Sequence, residues 1–199
     1  MLSFFPREQK RLKRESGSLA LRILLVTDGL VVFSGAMLGP IYALFVQDIG
    51  GDILDTGLAA GVFTATAGIV VFLSGRFSDK VRETELVVAL GYAAIGLGFL
   101  SYTLVHSVTQ LLLVQAIIGF GQALSSPSFD ALYSRHVDPK RSGSQWGAWE
   151  SMSYFAVAFG ALAGSTVVSL FGFRVLFVVM GCLALLSAFY IYFLPRRVL

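Results

Sequence analysis

Residues 19–46 read LALRILLVTDGLVVFSGAMLGPIYALFV. A helix that crosses a bilayer needs about 20 mostly apolar residues, and this stretch exceeds that while carrying one base, Arg22, and one acid, Asp28. A cleavable secretory signal also begins with a basic segment, but its apolar region is only about 7–15 residues long. The stretch is therefore a retained first transmembrane helix. Five more segments of comparable length and polarity follow, over residues 54–77, 85–105, 108–133, 145–170 and 174–194. The reading is all-α: a polytopic membrane protein of six transmembrane helices, with a basic N-terminal segment over residues 1–18 and a six-helix domain over 19–199.

Composition excludes the competing classes. Of 199 residues, 56% are hydrophobic and 14% charged, against about 25% charged in an average soluble domain, and the mean hydropathy is +0.77. A single aqueous core cannot enclose that much apolar surface; lipid can replace water around it. Cys182 is the only cysteine, so neither an internal disulfide nor a cysteine metal site is available. His106 and His136 are the only histidines and fall at helix ends. An intramembrane serine protease needs a histidine inside a spanning helix, which this pattern does not supply. No catalytic, cofactor-binding or metal-binding motif is present, and the chain is read as a non-enzyme.

Short connections punctuate the helices. Asp48, Gly50, Gly51 and Asp52 mark a turn with a helix start at Asp52 or Asp55; Ser107 is placed to cap the fourth helix. Gly172 is placed for a left-handed cap after the fifth, and Pro195 stops the sixth. Lysine and arginine are distributed unevenly between the two sides. Arg7, Lys10, Arg11, Lys13, Arg14, Arg22, Arg76, Lys80, Arg82, Arg135, Lys140, Arg141, Arg196 and Arg197 fall on one side, and Arg174 alone on the other. Both termini are therefore expected in the cytoplasm, in the cell or inner membrane. The net charge of +3 reports that topology rather than a nucleic-acid partner. Phe4 and Phe5 beside the basic cluster suggest a short segment at the membrane surface.

Trp146 and Trp149 suit an interfacial aromatic belt. Small residues at four-residue spacing, Gly35/Gly39, Gly57/Gly61 and Gly160/Gly164, are expected at close helix contacts, as is the series Gly61, Gly68, Gly75. Ionisable groups inside spanning helices are costly and mark function. Asp28, about two turns into the first helix, is the candidate for proton coupling, since a desolvated carboxyl group can exchange a proton near neutral pH. Pairing with Arg22 is the alternative. Asp130 and Glu150 are candidates for a charge network with Arg135 or Arg141. Gln115, Gln122 and Tyr154 are candidate cavity-lining residues.

The segment Gly75-Arg76-Phe77-Ser78-Asp79-Lys80-Val81-Arg82 resembles the signature loop between helices two and three of the major facilitator superfamily. Gly39-Pro40, Pro127 and Asp138-Pro139-Lys140-Arg141-Ser142-Gly143 also look like that family. Arg82 stands where the family has a second glycine, and Gln115 precedes Gly119 where an arginine is common in the fourth helix. The resemblance covers the chain as an N-terminal six-helix half of a twelve-helix transporter. It implies two inverted three-helix repeats, with Gly39-Pro40 and Ser126-Pro127 as candidate equivalents. It also implies a cytoplasmic gate in which Asp79 meets Arg135 or Arg141, with Gly75, Lys80 and Arg82 in the same loop. The implied function is secondary transport of a small solute by alternating access. A second copy of the chain or a separate C-terminal half would complete the path. A non-transporting membrane scaffold or inactive half-transporter is the other reading.

Overall fold

The computed structural model describes residues 6–78 and 83–194, with side chains from residue 19 onward and outside 74–78. Among the described residues there are seven α-helices: α1 (Pro6–Ala36), α2 (Tyr42–Asp48), α3 (Ile53–Ser78), α4 (Thr84–Ser101), α5 (Val108–His136), α6 (Ser142–Phe171) and α7 (Phe173–Phe193). Together they make six spans long and apolar enough to cross a membrane. This is an integral membrane protein.

The first span is broken near its far end. Pro40 has no N–H to continue the helical ladder, and its ring crowds the preceding turn. The chain answers with a turn at Met37 and Leu38 and a 3-10 segment, Gly39–Ile41, before α2 resumes the direction. Pro127 sits inside α5 without interrupting it. The helix starts follow side-chain chemistry. Asp52 Oδ1 accepts from the amides of Leu54 and Asp55, and Asp55 Oδ2 accepts in return from the Asp52 amide. That is a reciprocal capping box. Ser107 Oγ accepts from the Gln110 amide. Gly172 joins α6 to α7 at φ 79°, ψ 173°. The expected left-handed cap thus becomes a more extended positive-φ conformation that is open essentially to glycine alone.

The core is built from α1, α4, α5 and α7, which enclose Leu24, Tyr92, Leu111, Tyr133, Phe177 and Met180. Glycines allow the tightest crossings. A Cβ on Gly91 would fall 2.7 Å from the Gly121 carbonyl oxygen, and one on Gly121 would fall 2.8 Å from that of Gly91, so α4 and α5 touch through their backbones. The expected Gly160/Gly164 pair also lies at a contact: Gly160 faces the Phe33 carbonyl of α1 and Gly164 faces Met37, in the turn that follows α1. The other two pairs differ. Gly35 has only the Phe99 ring nearby, at 3.7 Å, and Gly39, Gly57, Gly61 and Gly68 have nothing within 4 Å. The face of α3 that carries Gly57, Gly61 and Gly68 is therefore unpartnered among the described residues.

α3 and α6 are the peripheral helices. Only 6% and 11% of their most apolar windows are buried, against 39–50% for the other four spans. α3 rests on α5, and α6 on α1. The first span packs on α6 and α7 much as α5 packs on α3 and α4, so exchanging spans one to three for spans four to six preserves these pairings.

Candidate functional site: a central cavity with a clamped carboxylate

Between the helices lies a partly open cavity of about 610 Å³, to which all six spans contribute. That size lies within the roughly 300–1,000 Å³ of small-molecule sites. Its walls are mostly aliphatic and aromatic, and among the described residues Asp28 and Asp130 are the only charged side chains that line it.

Asp28 reaches the cavity from α1, and its neighbour in sequence explains why α6 can approach. Gly29 leaves room for Met152, whose sulfur would lie 2.7 Å from an added Cβ. Trp149, one turn earlier on α6, then donates its indole N–H to Asp28 Oδ2 at 2.9 Å. Tyr92 of α4 donates its hydroxyl to Asp28 Oδ1, also at 2.9 Å. Each carboxylate oxygen thus has its own neutral donor, and the two bonds tie α1 to α4 and to α6. An indole nitrogen can only donate, whereas a phenol can donate or accept. The clamp therefore suits an ionised carboxylate, and the tyrosine retains a bond if the carboxyl group takes a proton.

Asp130 lies at the same end of the cavity and differs in its surroundings. Its backbone carbonyl accepts from Ser134 Oγ, but its carboxylate has no hydrogen bond or ion pair among the described residues and is exposed to the cavity. Phe129 beside it stacks obliquely on Trp149, with ring centroids 6.2 Å apart. At the opposite end Gln115 of α5, buried, donates its amide to the Tyr42 hydroxyl at 2.5 Å. Beyond that contact Phe45, Tyr102 and Phe177 form an aromatic plug, with Phe45 and Phe177 centroids 4.8 Å apart. The distance from Asp28 to Tyr42 along the first span is roughly 20 Å at 1.5 Å per residue.

Other candidates fall elsewhere. Gln122 lines the cavity as expected. Tyr154 does not: it is 74% exposed on the outer side of α6. Five residues of helix rotate it about 140° from Trp149, which turns it away from Asp28. Glu150, the residue after Trp149, is exposed and forms no ion pair with Arg135 or Arg141 among the described residues. Arg135 donates instead to Thr84 Oγ1 at 3.3 Å. Nor does Asp28 pair with Arg22; its two partners are Tyr92 and Trp149. Of the signature loop, Asp79, Lys80 and Arg82 lie outside the described residues, and Gly75 is described only as part of the α3 backbone. Tyr92 was not legible as a functional residue, and Trp149 read as an interfacial anchor. The only advance signal for either is the need of an intramembrane aspartate for donors.

The structure is thus a six-helix membrane unit around a solute-sized cavity with a hydrogen-bonded carboxylate on its wall. The sequence pattern of the Major Facilitator Superfamily matches residues 24–198, and the chain belongs to that family. Similar curated proteins include the multidrug resistance protein MdtG of Erwinia billingiae, 24% identical over 87% of this chain and 43% of the relative. The MdtG of Dickeya zeae is 25% identical over 98% of this chain and 52% of the relative. An uncharacterised MFS-type transporter of Methanocaldococcus jannaschii is 27% identical over 88% and 44%. The chain spans about half the length of the curated relatives it matches.

Proposed function

We propose that this chain is one six-helix half of an alternating-access transporter, and that it moves a small lipophilic solute through the central cavity in exchange for protons bound at Asp28. The observation that carries the reading is the cavity itself, of solute size and apolar, with Asp28 clamped between α4 and α6. A single such unit has no opposite wall to alternate against. The two halves of this family are related by an axis along the membrane normal, and two copies in one orientation satisfy that symmetry. The exposed α3 and α6, with the open face at Gly57, Gly61 and Gly68 and with Tyr154 and Phe155 on α6, offer a surface for the second unit. The second unit is another copy of the chain or a C-terminal half. The uneven distribution of lysine and arginine favours termini on the cytoplasmic side, and the paired exchange of helix contacts favours two inverted three-helix repeats. The MdtG relatives are named for multidrug resistance, which supports a drug-like solute. The gate of Asp79 with Arg135 or Arg141 belongs to the same proposal.

Two measurements test it. Native mass spectrometry of the nanodisc-embedded chain gives the number of copies, and pH-jump flux in proteoliposomes gives transport. A dimer whose proton-driven flux is lost in Asp28→Asn supports the proposal. A dimer whose flux survives that change removes Asp28 from coupling. A monomer without flux overturns the homodimer, and a monomer that remains inert with a matching C-terminal half favours the scaffold reading.

A further inference from the structure

We infer that the central cavity selects an organic cation, and that the cationic group is received by Asp130 rather than by Asp28. This rests on the cavity being the solute site proposed above, and it adds the charge class of the solute and the residue that recognises it.

The first observation is the charge of the lining. Two carboxylates face the cavity, and among the described residues no lysine, arginine or histidine does. Within apolar walls the field of such groups is weakly screened, so an anion is repelled and a cation attracted far more than at an aqueous surface. The second is the division of labour between the two acids. Each oxygen of Asp28 already accepts one bond, from Tyr92 or Trp149, which uses about half of the four acceptor sites of a carboxylate and sets two bulky rings beside it. The Asp130 carboxylate has no hydrogen bond or ion pair among the described residues and opens into the same cavity. The base nearest on its own helix, Arg135, is directed to Thr84, and the ring of His136 is held at the Leu132 carbonyl. From α1 the facing group is Asp28, from α4 Tyr92 and from α6 Trp149, none of them cationic. The third is the wall. Phe63, Phe99, Phe129 and Trp149 present rings to the cavity, and aromatic faces attract cations when water is excluded. An anion or a strongly hydrated small ion gains nothing from those rings. A cation whose charge is spread over, or shielded by, an apolar body matches both the wall and the open carboxylate.

The test uses two probes of nearly equal size and shape and opposite charge, tetraphenylphosphonium and tetraphenylborate. Equilibrium binding to the full chain in nanodiscs is measured, and the signal of empty nanodiscs is subtracted. Saturable binding of tetraphenylphosphonium, with tetraphenylborate neither binding saturably nor competing, is the result expected. Asp130→Asn weakens the cation by about tenfold or more, the scale of losing one poorly screened charge contact. Asp130→Glu restores most of the affinity, and Asp28→Asn, which removes the more distant charge, weakens the cation less than Asp130→Asn does. Equal binding of the two probes by the unaltered chain overturns the inference without any variant. So does Asp130→Asn with unchanged cation affinity, or a larger loss in Asp28→Asn than in Asp130→Asn. Because binding is read rather than flux, a chain that binds the cation but does not transport overturns the transporter reading and leaves this one standing.

Discussion

Gly164→Ala and Gly61→Ala are the same chemical change on two peripheral helices, and the structure assigns them opposite consequences. At Gly164 an added Cβ would sit 2.5 Å from the Met37 carbonyl carbon and 2.6 Å from its Cα. Those atoms belong to the backbone of the turn that follows α1 and cannot rotate away as a side chain could, so α6 has to withdraw along its contact with the first span. A gap of 0.5–1 Å already forfeits about a quarter to a half of each affected dispersion contact, and enlarging a residue in a packed site costs about 1–3 kcal/mol. At Gly61 nothing lies within 4 Å, so no packing cost arises inside the chain. Both changes gain the helix-propensity advantage of alanine over glycine, about 1 kcal/mol, and that gain cancels when the two variants are compared. The expected difference is therefore about 1–3 kcal/mol in favour of Gly61→Ala. For a chain of this length that is about 2–12 °C in Tm, at roughly 2–4 °C per kcal/mol. Thermal unfolding of both variants as monomers in one detergent, followed by circular dichroism and by Trp146 and Trp149 fluorescence, reads it directly. Equal Tm values, or Gly164→Ala above Gly61→Ala, would refute the close α1–α6 crossing.

Three further outcomes follow from single contacts. Tyr92→Phe removes the donor to Asp28 Oδ1 and is expected to cost about 1.5–3 kcal/mol, the range for a hydrogen bond to a charged group; a double-mutant cycle with Asp28→Asn should show coupling above about 0.5 kcal/mol, and additive effects would argue against the bond. Gly172→Ala places a Cβ at φ 79°, ψ 173° and should lower stability by about 1–3 kcal/mol, although there is open space around the site; an unchanged Tm would show that the α6–α7 junction relaxes. Asp52→Ala deprives the Leu54 and Asp55 amides of their acceptor, at a cost of about 1 kcal/mol, and hydrogen exchange should accelerate first at the start of α3.

The six spans were legible because each answers to one requirement, a sufficient run of apolar residues, which can be counted along the chain. Observed limits such as Val108–His136 and Ser142–Phe171 differ from the expected 108–133 and 145–170 only by turns of helix that extend past the apolar run. Helix starts at Asp52 and Ser107 were legible for a similar reason, since a cap bonds to residues two or three positions away. What could not be read was any property set by two helices at once. Four-residue spacing of glycines describes one helix face and does not say whether another helix lies against it; hence Gly160/Gly164 meet α1 while Gly57/Gly61 meet nothing. Gly91 and Gly121, which hold α4 and α5 together, form no such pair on either helix. The site divides the same way. Asp28 could be singled out because a charge in an apolar run is conspicuous by itself, whereas Tyr92 and Trp149 acquire their roles only by meeting it across 64 and 121 residues of chain.

The Asp28 clamp lies where the two kinds of helix in this fold meet. α1 and α4 belong to the core, and α6 is peripheral, with its backbone contacts to the first span at Gly160 and Gly164, toward its C-terminal end. Trp149 is near the other end of α6, about 11 residues or roughly 16 Å away along the helix axis at 1.5 Å per residue. The Trp149–Asp28 bond is thus a polar attachment at the end of α6 remote from the glycine contact. Contacts that depend only on close packing are insensitive to charge; a bond between a fixed donor and a carboxylate is not, because ionised acceptors bind such donors more strongly than neutral ones. Charge at Asp28 therefore acts on one end of α6 while the glycine contact anchors the other. That end is also packed, Met152 against Gly29 and Trp146 against Tyr133, so the bond to Asp28 adds one charge-sensitive contact to a set that is otherwise indifferent to charge.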